Sequence, residues 1–190
     1  MLEWCAAALG LVNVTLVVRR SVWNYPFGLA MVSLYFFVFY EARLYSDALL
    51  QIFFFVVNLY GWWNWLRARR EAGGIEVLVL SWPARIVWVA GIALAAGAWG
   101  FGMARYTDAA SPMIDAAIAG MSVAAQILMA QRRIENWVLW ILVDIIAIGL
   151  FASRGLYATS GLYVLFLLLS IAGLVGWSRA PRARQGEVFA

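Results

Sequence analysis

The chain has 190 residues, of which 65% are hydrophobic and 13% charged, with a formal net charge of +4. A soluble domain is typically about 45–50% apolar and about 25% charged, so this composition describes a polytopic membrane protein with no room for a sizeable soluble domain. There is no histidine and no lysine, all fourteen basic residues being arginine, and Cys5 is the single cysteine. That excludes histidine metal sites, catalytic triads and proton relays, Schiff-base chemistry, a phosphate-loop lysine and an internal disulfide. No cofactor or metal is expected. The positive charge flanks apolar segments, which is a membrane pattern and gives no reason to infer nucleic-acid binding.

A membrane span needs about 20 apolar residues. Seven stretches come close: 2–18, 25–40, 48–66, 86–103, 112–130, 136–151 and 156–177. The first has no basic start and no small-residue cleavage site, so it reads as a helix and not as a signal peptide. The second and sixth are short. Arginines set the orientation. In a seven-span chain Arg19, Arg20, Arg67, Arg69, Arg70, Arg85, Arg132, Arg133, Arg179, Arg182 and Arg184 share one side, and Arg43, Arg105 and Arg154 take the other. The positive-inside rule then puts the N-terminus outside and the C-terminus in the cytoplasm. The stretch 67–81 reads as the longest connection, and the polar tail 180–190 as disordered.

Landmarks recur between the two halves. Arg19-Arg20 returns as Arg132-Arg133, Leu44-Tyr45 as Leu156-Tyr157 and Gly61-Trp62 as Gly176-Trp177, at offsets of 113, 112 and 115. The expectation is an all-α integral membrane protein made of two parallel three-helix repeats joined by a linker helix. The units are 1–66, 67–108, 109–178 and a tail 179–190. The fourth helix has small residues at Ala93/Gly97, Ala96/Gly100 and Ala98/Gly102, and reads as a packing strut between the halves.

Within the apolar helices a few polar side chains need a reason, because a buried amide or carboxylate is expensive without a partner. At about 100° per residue, Gln51, Asn58, Trp62 and Trp65 fall in a stripe of roughly 60° on the third helix. Asp115, Ser122, Gln126, Met129 and Arg133 do the same on the fifth. The sixth carries Asn136, Trp137 and Trp140, with Asp144 deeper. On the seventh, Tyr163, Ser170 and Trp177 lie at seven-residue spacing on one face, and under the pairing of the halves they fall near Gln51, Asn58 and Trp62. Amides beside indole faces suit a flat, polar, heterocyclic solute. The competing reading is a belt of interfacial tryptophans with packing amides; Trp63 and Trp65 beside Arg67 fit it, while Gln51 and Asn58 do not.

Three segments carry a resemblance. Gln51 to Trp65 with Asn58-Leu-Tyr-Gly-Trp-Trp-Asn, the Trp23-Asn-Tyr-Pro26 turn, and Glu135-Asn-Trp-Val-Leu-Trp140 with Asp144 together resemble the PnuC family of bacterial vitamin transporters, over about residues 13–177. The resemblance implies a seven-helix, three-plus-one-plus-three, SWEET-like architecture and a homotrimer in the bacterial inner membrane. It implies facilitated diffusion of nicotinamide riboside, trapped by cytosolic phosphorylation, without enzymatic chemistry. Thiamine, riboflavin and deoxyribonucleosides are the alternative cargoes, and an integral membrane enzyme the remote one. The residues expected to meet the cargo are Gln51, Asn58, Trp62, Trp65, Gln126, Asn136, Trp137, Trp140, Asp144 and Tyr163.

Overall fold

The computed structural model describes residues 2–43, 45–107 and 111–180. Seven helices follow one another: α1 (Leu2–Val18), α2 (Asn24–Glu41), α3 (Tyr45–Ala72), α4 (Trp82–Tyr106), α5 (Pro112–Ala130), α6 (Glu135–Ser153) and α7 (Tyr157–Ser178). Five of them, α3 to α7, are long and apolar enough to cross a bilayer. The limits of α1 and α5 are those read from the sequence. Leu44, Arg182, Arg184 and almost all of the tail lie outside the described residues.

α3 corrects one expectation. It runs on through the arginines to Ala72, so the boundary drawn after Leu66 falls inside a helix. Arg67 and Glu71 pair at i,i+4 spacing with 2.7 Å between Nε and Oε1, and Arg69 and Arg70 sit in the last turn, where cations suit the helix dipole. Gly73, at φ 69°, ends it in the left-handed region. α4 begins at Ser81, whose hydroxyl accepts from the Ala84 N–H, with Pro83 in the first turn. The connection is therefore only 73–81.

Neighbouring helices pack in the cyclic order α1, α2, α3, α5, α6, α7 and back to α1. α4 stands outside this ring and packs along α5, with one further tie to α6 where Arg85 pairs with Glu135 at 2.9 Å. The strut between halves is thus not what α4 does. Its Gly100 lies against Met113 and Ala116, and Gly120 of α5 approaches Ala96, but Gly97 and Gly102 face open space. Val87, Val89, Leu94 and Phe101 stay exposed on its outer side.

The turns that follow α1 and α5 match bond for bond, with Arg20 in the place of Arg132. Both adopt left-handed φ values, 54° and 63°. The register of the two halves is therefore the one read from Leu44-Tyr45 and Leu156-Tyr157, and the pairing of Arg19-Arg20 with Arg132-Arg133 slips by one position. Ser21 N–H donates to Leu16 O and Arg133 N–H to Leu128 O, at 2.9 and 2.8 Å, the six-to-one closure of a helix C-terminus. The Asn24 and Asn136 side chains then donate to Ser21 O and Arg133 O, opening α2 and α6. Arg43 and Gly155, equivalent in the same register, share the left-handed conformation at the other end.

Candidate functional site

Two layers of the ring carry the candidate residues. The first lies at the arginine-rich end. Trp65, Trp137 and Trp177 are fully buried with Tyr25, and their rings form a chain. Tyr25 meets Trp65 edge to face at 5.4 Å, Trp65 meets Trp177 at 5.8 Å, and Trp177 meets Trp137 edge to face at 5.5 Å. The helices are bolted here by two indoles: Trp65 Nε1–H donates to Met129 O at 3.2 Å, and Trp177 Nε1–H to Val17 O at 3.1 Å. Donors and acceptors are again equivalent in the register of the two halves. Trp62 and Trp140 pack on the edge of this cluster, partly buried.

Two glycines make the layer possible. A Cβ on Gly61 would stand 2.6 Å from the Tyr25 hydroxyl oxygen, and one on Gly173 2.5 Å from the Trp137 indole. Gly61 therefore corresponds to Gly173 and Trp65 to Trp177. The pairing of Gly61-Trp62 with Gly176-Trp177 is off by close to one helical turn, which keeps the face and so hides the error in sequence. Among the described residues, Tyr25 Oη, Trp137 Nε1, and the Oδ1 atoms of Asn24 and Asn136 are buried without a hydrogen-bond partner. The plug is thus lined with polar atoms left over from its packing.

The second layer lies deeper between the helix ends. Gln126 Nε2–H of α5 donates to Asn58 Oδ1 of α3 at 3.2 Å, and Asn58 Nδ2–H donates to Phe54 O one turn back at 2.9 Å. Across the ring, Ser170 Oγ–H of α7 donates to Asp144 Oδ2 of α6 at 2.9 Å. These four side chains are buried. Among the described residues, neither Asp144 Oδ1 nor Gln126 Oε1 accepts a hydrogen bond, so each pair keeps an acceptor for a further partner. Tyr163 stacks on Phe151 at 5.3 Å, one further step from the plug. Gln51, buried, lies two turns from Asn58 and lines a cavity of about 240 Å³ between α2 and α3 with Val32, Ser33 and Phe36.

The structure thus brings Asn58 to Gln126, and Asp144 to Ser170. It puts Trp65, Asn136 and Trp137 in the plug, where Trp65 spends its N–H on the backbone and Asn136 opens α6. Two residues of the polar layer escape the sequence reading. Asn13 of α1 is buried and its Nδ2–H donates to Asn24 O at 2.7 Å. Gly28 of α2 comes so close that a Cβ there would stand 2.8 Å from Asn13 Nδ2 and 3.2 Å from Asn58 Oδ1. The lone amide in the apolar α1 is the signal for the first; nothing in the sequence marks the second. Among the described residues no cluster of histidine, cysteine, aspartate and glutamate could hold a metal ion.

A family model described as nicotinamide mononucleotide transporter matches residues 1–179. The chain belongs to this family, that of the PnuC transporters. It is 29% identical over 211 residues to the nicotinamide riboside transporter PnuC of Escherichia coli, covering 96% of this chain and 88% of that one. It is 31% identical over 173 residues to the riboflavin/roseoflavin transporter RibM of Streptomyces davaonensis, covering 89% and 80%. A crystal structure of the vitamin B3 transporter PnuC superposes with a TM-score of 0.77 at 28% identity, covering 94% of this chain and 80% of that one. The helical fold is thus that of this family.

Proposed function

We propose that this protein carries nicotinamide riboside across the bacterial inner membrane by facilitated diffusion, with the cargo trapped by cytosolic phosphorylation. The observation that carries the reading is the polar layer: a buried carboxylate with a free oxygen on Asp144, a buried amide pair between α3 and α5, and no basic side chain along the middle of these helices. Every described arginine lies near a helix end or in a connection. A pyridinium ring is a fixed cation that a carboxylate and aromatic faces attract. The ribose hydroxyls and carboxamide suit Gln51, Asn58, Gln126 and Tyr163. Trp62 and Trp140, at the edge of the plug, give it flat surfaces.

The family description names the mononucleotide, and the name of the Escherichia coli relative the riboside. A phosphate needs concentrated positive charge or a nest of N–H groups, and Asp144 would repel it. Riboflavin is the second reading, favoured by the likeness to RibM, but its ring is neutral and gives Asp144 nothing to pair with. Calorimetry on the purified protein separates the three. The riboside should bind at least about tenfold more tightly than either the mononucleotide or riboflavin, a difference of about 1.4 kcal/mol. Equal binding of riboside and mononucleotide would sink the cargo assignment.

The architecture that supports transport is two parallel three-helix repeats around the polar layer, with α4 as the linker outside them. The ring order and the contacts that recur in both halves support it. All seven helices then span the membrane, with the N-terminus outside, the arginine-rich plug facing the cytoplasm and three copies forming the assembly. A reporter after Arg179 should be cytoplasmic, and the N-terminus external; both ends on one side would overturn the seven-span topology.

A further inference from the structure

The connection 73–81 crosses the arginine-rich end and covers the plug. Ile75 and Val77 are buried in the same cluster as Tyr25, Trp65 and Trp177. Its backbone is held unequally by the two matched turns. On the α5–α6 side, Leu78 N–H donates to Arg132 O at 2.9 Å and Ile134 N–H to Leu78 O at 3.0 Å, a short parallel bridge. Arg133 Nη1–H donates to Val79 O at 2.9 Å, and Leu80 N–H to Glu135 Oε1 at 3.0 Å. The same Glu135 oxygen pairs with Arg85 at 2.9 Å, tying the start of α4 to the start of α6. Among the described residues the α1–α2 side supplies one bond, from Arg20 Nη1–H to Ile75 O at 3.2 Å.

The sequence explains the inequality. Trp23 occupies in the first half the place that Glu135 takes in the second, so the α1–α2 turn has no carboxylate to grip the connection. Trp23 is exposed, and beside it opens a cavity of about 300 Å³ lined by Arg20, Ser21, Val22, Arg69 and Ile75. Val22 and Ile75 line this cavity and also belong to the plug cluster. A parting at that seam reaches the plug directly.

We infer that the connection 73–81 is a fixed part of the second half, and that the arginine-rich end opens at the seam between Arg20 and Ile75, with the 300 Å³ cavity as the outer vestibule of the exit. The inference rests on the carrier reading. Opening elsewhere along the connection would break four hydrogen bonds where this seam breaks one.

Thiol cross-linking tests it in proteoliposomes, with the native Cys5 replaced by serine. In Arg20→Cys/Ile75→Cys protein, a short reducible bifunctional reagent should cut the initial rate of nicotinamide riboside uptake by at least about tenfold, with recovery on reduction, while equilibrium binding stays within about twofold. In Leu78→Cys/Arg133→Cys protein, a disulfide across the bridge should leave uptake within about twofold of the reduced form, because that joint never opens. Unchanged uptake with the Arg20–Ile75 link closed, or equal loss with the Leu78–Arg133 link closed, overturns the seam. Failure of the unlinked protein to take up the riboside counts against the cargo instead. The seam is then read from spin labels at the same two pairs in nanodiscs, which need no cargo. Two separations for Arg20–Ile75 with one for Leu78–Arg133 uphold it; one separation for both, or the reverse, overturns it.

Discussion

The plug and the polar layer differ in how far the two halves agree. In the plug, each first-half residue has a counterpart of the same use in the second: Tyr25 and Trp137, Gly61 and Gly173, Trp65 and Trp177, down to the backbone oxygen each indole meets. In the polar layer the counterparts diverge. Asn58 stands opposite Ser170, Gln51 opposite Tyr163, and Asp144 opposite Val32. Matching residues do the same mechanical work in both halves, which here is holding helices together and closing one end. An asymmetric cargo has one charged ring and one sugar, so a layer that reads it has no use for symmetry. On the proposed carrier reading, closure falls to the plug and selectivity to the polar layer, and substitutions can separate the two.

Asp144 should give the largest change in binding. Hydrogen bonds involving a charged group are worth about 1.5–3 kcal/mol, so Asp144→Asn should weaken nicotinamide riboside binding by about tenfold or more. Ser170 can still donate to the amide oxygen, so the fold should hold. Binding of the riboside unchanged in calorimetry would remove Asp144 from the site.

Gly173→Ala should act on stability. The added methyl would run into the Trp137 ring, which is fully buried and pinned by Trp177, and overpacking of this kind costs about 1–3 kcal/mol. Gly61→Ala should act in the same way, because its methyl would meet the hydroxyl and ring edge of Tyr25, which is equally buried and held against Trp65. Thermal unfolding of the purified variants reads both losses. A harmless Gly173→Ala would mean that the plug is looser than its ring contacts indicate.

A smaller effect is expected at Asn58. Asn58→Ala removes the acceptor of the Gln126 amide and one polar group from the layer, and a neutral hydrogen bond is worth about 0.5–1.5 kcal/mol. Binding should fall by up to about tenfold. If thermal stability fell by that amount while riboside affinity did not move, the pair would be a helix tie and no part of the site.

Helical periodicity in the sequence is enough for the helices and the faces they turn inward, because an apolar run with a few amides leaves little choice of phase. It places Asn58, Gln126, Asp144 and Ser170 on inward faces, and the structure puts Asn58 against Gln126 and Asp144 against Ser170. It orders depth along one helix, with Asp144 deeper than Trp137, but it cannot say which residues of different helices share a layer. Trp65 and Trp137 share the stripe of Asn58 and of Asp144, yet end in the plug, since depth depends on where the turns at Arg20 and Arg132 lie. The reach of α3 to Ala72 is hidden for a related reason: arginines end a span but do not end a helix. The strap of 73–81 depends on Leu78 meeting Arg133, a contact between distant parts of the chain that no local pattern contains.

The last comparison lies within one helix turn. Trp65 is fully buried and Trp63 is 58% exposed, though by sequence both fit an interfacial belt. Trp65→Phe removes the N–H that meets Met129 O and leaves a gap beside Trp177, so it should lower stability by about 1 kcal/mol or more. Trp63 has Arg67 over its ring at 5.9 Å and Tyr60 at its side. An exposed cation–π contact is worth about 0.5–1 kcal/mol, and phenylalanine keeps a ring face for the guanidinium. Trp63→Phe should therefore be nearly silent in unfolding, in riboside binding and in uptake. Should Trp63→Phe abolish binding while Trp65→Phe unfolds like the native protein, α3 would be rotated from this phase, and Asn58 would move out of the ring with it.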